Sequence, residues 1–152
     1  MTTSFRLLTV SFTLLLFACT KDKVAPRHYE TENVIIIVMD GPRYSETWGD
    51  VSHQNIPRMA NDLAPKGAVN SQFFSYGETF TVPGHTAIST GFYQNIDNGG
   101  AELPQNPSIF QLWRASSNAP QNKSWVIASK GKIEVVSNCS NQIWENKFLP
   151  MT

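Results

Sequence analysis

The chain has 152 residues, with 12 Lys and Arg balanced by 12 Asp and Glu, a length that suits one domain with a real core and is short for two. A formal net charge of zero removes any electrostatic argument for nucleic acid as a partner. Neither an internal repeat nor a low-complexity tract is present.

Arg6 is the one charge before an apolar run that ends at Ala18. Such a run is too short to span a bilayer and matches the core of a secretory signal. It closes on Leu16-Phe17-Ala18-Cys19, after which the chain turns polar at once. This resembles the lipobox of bacterial lipoproteins, which implies that residues 1–18 are removed and that Cys19 is lipidated as the first mature residue. The expected location is the bacterial periplasm or cell envelope, with a lipid anchor in the membrane; an ordinary secretory signal also gives export. Residues 19–32 then read as the lipidated cysteine and a polar tether. Cys139 would be left without an intramolecular partner, which suggests that it is buried or that its partner is missing.

Residues 34–39 read Val-Ile-Ile-Ile-Val-Met, an apolar run without polar alternation. Such a run predicts a strand buried on both faces, as in the centre of a parallel sheet. Asp40 follows directly, where open α/β sheets collect ligands; a capping role in the next turn is the alternative. Residues 42–54 read as loop. Asn55 is placed to cap a short helix with Ile56, Met59, Ala60, Leu63 and Ala64 on one face, stopped by Pro65-Lys66-Gly67. Residues 68–74 are a possible strand.

The next stretch reads Thr79-Phe80-Thr81-Val82-Pro83-Gly84-His85-Thr86-Ala87-Ile88-Ser89-Thr90-Gly91. Pro83 suits the first turn of a helix running toward Gly91, with Thr81 just before its start. Free backbone N–H groups there would favour an alkoxide or a phosphate. Taken alone, Thr81 is a capping residue. Residues 95–106 form a loop rich in Asn and Gly, and Asn106-Pro107 opens a second helix with Ile109, Phe110, Leu112 and Trp113 toward the core. Trp125-Val126-Ile127-Ala128 predicts another strand, ending in Ser129-Lys130-Gly131-Lys132, and residues 133–136 a further one. The alternation predicts an α/β layered domain with a mainly parallel central sheet. In such a sheet Asp40, the helix bearing Thr81, Lys130 and Lys132 share one edge: an oxygen ligand for a metal, a hydroxyl, and positive charge for an anion.

These residues carry a likeness to a known family. The strand ending in Asp40-Gly41, followed by Thr81-Val82-Pro83-Gly84-His85-Thr86 and Ser89-Thr90-Gly91, resembles the N-terminal part of the alkaline phosphatase superfamily, in its nucleotide pyrophosphatase/phosphodiesterase and threonine-type phosphatase branches. The resemblance implies a zinc-dependent hydrolase of phosphate mono- or diesters, acting on a small-molecule phosphate ester. It makes Thr81 the nucleophile and makes Asp40 and Thr81 ligands of one ion of a two-zinc site. Lys130-Gly131-Lys132 resembles the Lys-x-Arg that binds phosphate oxygens in some members, with Lys in place of the bidentate Arg. Asn98 is the candidate for the asparagine that donates to phosphate. The sulfatase signature is not met, because Thr81 stands at the oxidisable position and His85 at the Arg.

The family completes its zinc site with an Asp-x-x-x-His, an Asp-His pair and a last His. This chain holds His28, His53 and His85, and Asp50 and His53 are separated by two residues where the motif has three. A zinc site needs about three or four protein ligands. Residues 33–152 are therefore expected to match only the first part of such a domain, in a truncated frame or fragment. The alternative function is a non-catalytic surface lipoprotein or an inactive remnant.

Overall fold

Proline at the third position of a helix costs no hydrogen bond, because that N–H has no intrahelical acceptor. A helix accordingly runs over Thr81–Thr90 (α1) and includes Thr81 as its first residue. It ends where Gly91 takes a left-handed conformation, φ 77°, with its N–H donating to the Ala87 carbonyl at 2.9 Å. The computed structural model describes residues 30–152; the signal segment, Cys19, His28 and most of the tether lie outside the described residues.

The buried side of α1 carries Val82, Pro83, Thr86, Ser89 and Thr90. It packs on a 3-10 helix over Gly131–Ser137 that buries Ile133, Val135 and Val136. Ile96 joins this core, with Leu103 and Val126 packed against it. Cys139 is buried beside it in sequence, 0% exposed and free.

The second helix spans Ile109–Ser117 (α2), and at its start the Ser108 N–H donates to Gln111 Oε1 at 3.3 Å, one half of a capping box. Its packing differs from the expected apolar face. Ile109, Leu112 and Trp113 stay 42–45% exposed, while Gln111 is fully buried. The cause is polar. Gln111 Nε2 donates to the carbonyls of Trp144 and Lys147 at 3.0 and 2.9 Å, and Arg114 donates to the carbonyls of Ala119 and Leu149. These bonds pull the amide and guanidinium side of α2 onto the final segment and turn the aromatic side outward.

The expected α/β domain with a mainly parallel sheet is not what forms. Among the described residues there is no sheet, and the β pairing consists of one isolated parallel bridge between Trp125 and Met151. In it Val126 N–H donates to the Met151 carbonyl, and Met151 N–H to the Ser124 carbonyl, both at 2.8 Å. Residues 34–39 are not in a ladder and are 43–82% exposed. Residues 68–74 are turn and irregular chain, and residues 133–136, also expected as strand, lie in the 3-10 helix. A strand is stabilised by its neighbours, through ladder bonds and covered faces. Periodicity reports the demand for burial and leaves the partner unspecified.

The expected helix after Asn55 is also altered. Asn55 Nδ2 donates to the Glu46 carbonyl at 2.9 Å instead of capping. The segment becomes a π-helical turn over Met59–Leu63 and a 3-10 turn over Ala64–Lys66, neither with a buried residue.

Candidate functional site

Asp40 and Lys130 are ninety residues apart in sequence, and Lys130 Nζ donates to Asp40 Oδ2 at 2.8 Å. The Lys130 hydrogen bond and then its charge hold the Asp40 carboxyl below its ordinary value of 3.8; desolvation opposes them slightly, and the charge of His85 adds a smaller push in the same direction. Because the folded value is depressed, whatever the pair adds to stability is present above 3.8 and fades as pH falls through the lowered value. The side chains are 70% and 48% exposed, so solvent screening leaves the pair a small contribution to stability.

His85 lies four residues after Thr81 on α1, and its Nδ1 is 2.7 Å from the Thr81 carbonyl oxygen. A carbonyl only accepts, so Nδ1 carries a proton in this contact. The same helix start meets the loop after α1. Asn98 Oδ1 accepts from Val82 N–H at 3.0 Å, and the Asn98 carbonyl accepts from Lys132 Nζ at 2.9 Å. Gly100 lets the loop come this close: a Cβ there would lie 2.6 Å from Lys132 Cβ.

The contacts form a ring that stays open between His85 and Asp40. It runs from Asp40 to Lys130, along Gly131 to Lys132, through Asn98 to Val82 and the adjoining Thr81, and ends where the Thr81 carbonyl meets His85. Asp40, Thr81, Asn98, Lys130 and Lys132 are thus linked without the sheet that was expected to gather them. In the sequence His85 stands out only as the residue at the sulfatase Arg position and as one of three histidines. The signal for its link is the spacing of four from Thr81, which stacks the two on one helix face.

The start of α1 is less open to an anion than its sequence suggests. Phe80 offers no side-chain cap, and Asn98 takes the Val82 N–H from outside. Pro83 has no N–H, and Gly84 N–H already donates to the Phe80 carbonyl at 2.8 Å. That leaves the backbone N–H and hydroxyl of Thr81, which make no hydrogen bond among the described residues. With Oδ1 of Asn98 engaged, its Nδ2 is the donor that remains for a ligand.

Metal-ligating groups are sparse. Among the described residues no three His, Cys, Asp or Glu side chains gather. Asp50 and His53 belong to a separate turn: Asp50 accepts from the Ser52 hydroxyl at 2.7 Å and from its N–H at 3.0 Å, bonds that lower its pKa. The His53 ring meets Trp48 edge-on at 5.6 Å.

The ring therefore presents a hydroxyl, an amide donor and two ammonium groups, one of them shared with a carboxylate. Such a set recognises an oxyanion. No family model, curated protein or solved structure matches the chain.

Proposed function

We propose that the chain carries a phosphate-ester site of the alkaline phosphatase kind, in an exported protein anchored to a membrane by lipid on Cys19. Thr81 is its nucleophile, and Lys130, Lys132 and Asn98 are its phosphate-binding groups. The observation that supports this reading is the ring of contacts that joins these residues across ninety positions of chain. In the reaction Thr81 Oγ1 bonds to phosphorus, the ester P–O bond breaks, and the alcohol leaves. The hydroxyl proton needs a base, and we assign that role to Nε2 of a neutral His85, which lies four residues along α1 from Thr81. Lysine charge offsets the charge that gathers on the phosphoryl oxygens.

Zinc, which the resemblance implies, does not fit the described residues. The ring contains one carboxylate, already bonded to an ammonium, and one imidazole whose Nδ1 is spent on a carbonyl. The same shortage favours a second reading, a surface lipoprotein that binds phosphate groups without turnover.

Thr81→Ala tests the first reading on an aryl phosphate substrate. Turnover by the unsubstituted chain, lost in the variant, supports it; near-equal rates in the two remove Thr81 from its role. Phosphate binding with no turnover by the unsubstituted chain selects the second reading.

A further inference from the structure

Taking this ring as a phosphate site, the charges around it go further. Asp40 is the single carboxylate in the ring, and beside a phosphate it would repel the ligand. Lys130 sits directly on that carboxylate, Nζ to Oδ2 at 2.8 Å. Lys132 is anchored differently, on the uncharged carbonyl of Asn98, so its charge is not cancelled by its protein partner. The ring thus has one negative and two positive side chains, apart from His85, and its net charge already suits an anion. A divalent ion at Asp40 would have to displace Lys130 and, among the described residues, would find too few further ligands.

We infer that Lys130 takes the place of a metal cation at Asp40, and that the site binds phosphate dianion without a divalent metal. Lys130 then acts as an internal counter-ion that is shared between Asp40 and the ligand, and Asp40 weakens phosphate binding instead of supporting it.

The two alternatives give opposite signs in Asp40→Asn. Calorimetric titration of the full chain with inorganic phosphate, in EDTA and again with zinc chloride, is the measurement. The expected result is equal binding in both conditions, binding about two- to fivefold tighter in Asp40→Asn, and binding about tenfold weaker in Lys130→Met. Both positions are substantially exposed, and circular dichroism checks that the variants keep their helices. Phosphate binding only with zinc, or weaker binding in Asp40→Asn, overturns the inference and leaves the phosphate site standing. No phosphate binding in either condition overturns both.

Discussion

Residues 34–39 and the segment Gly131–Ser137 are both short runs rich in Ile and Val, yet they end in opposite states. In the first, Ile35 is 82% and Ile37 77% exposed; in the second, Ile133 and Val135 are 9% and Val136 4% exposed. The second run winds into a 3-10 helix and is covered by α1. The first has no regular secondary structure and no ladder beside it among the described residues. Burial is therefore decided by what lies opposite, and α1 is the element that supplies it. Asp40 directly follows the exposed run and Lys132 lies in the covered segment, which makes the ring a junction between two unequally held regions.

That contrast is open to attack from three positions. The largest effect is expected at Val82, which is 0% exposed on the covering face of α1. Val82→Asp places an unpaired charge in the core and is expected to destabilise by about 4 kcal/mol or more. Loss of cooperative urea unfolding would show it, and an unchanged midpoint would mean that α1 does not organise the core. A middle effect is expected at Gly91. Its φ of 77° penalises any side chain, although an added Cβ there meets nothing within 4 Å. Gly91→Ala should therefore cost about 1 kcal/mol through the backbone alone. The smallest is at Ile37. With that side chain exposed, Ile37→Ser should move stability by less than about 0.5 kcal/mol. A cost in Ile37→Ser as large as that in Gly91→Ala would show residues 34–39 to be packed in solution and would erase the contrast.

Local chemistry made the helices legible. Pro83 and Gly91 bracket α1 by the ordinary asymmetry of helix ends, and the Asn-Pro step lies just ahead of the Ser108 cap of α2. The strands were not legible, because a short apolar run is equally consistent with a strand and with a buried helical turn. Residues 133–136 show the ambiguity directly: three of their four side chains are apolar and buried, but on a helical path. The face of α2 was misread for another reason. Apolar spacing assigns it to Ile109, Phe110, Leu112 and Trp113, of which Phe110 alone is half-buried, while Gln111 has a stronger claim on the interior through two carbonyls more than thirty residues away. In the candidate site, Asp40, Thr81, Lys130, Lys132 and Asn98 were named from position and resemblance. Two features were invisible at that stage because they depend on contacts between distant segments: the bond between Asp40 and Lys130, and the capture of the Val82 N–H by Asn98.

Cys139 adds a different kind of handle. Its thiol is free, and at 0% exposure a reagent in solvent cannot reach it while the core is closed. Modification must wait for an opening event, so its rate at high reagent concentration becomes the opening rate itself. In a Cys19→Ser background Cys139 is the single thiol of the chain, and its half-life toward the reagent becomes a clock for the region that holds the lysines. Such a clock needs neither a substrate nor an identified ligand.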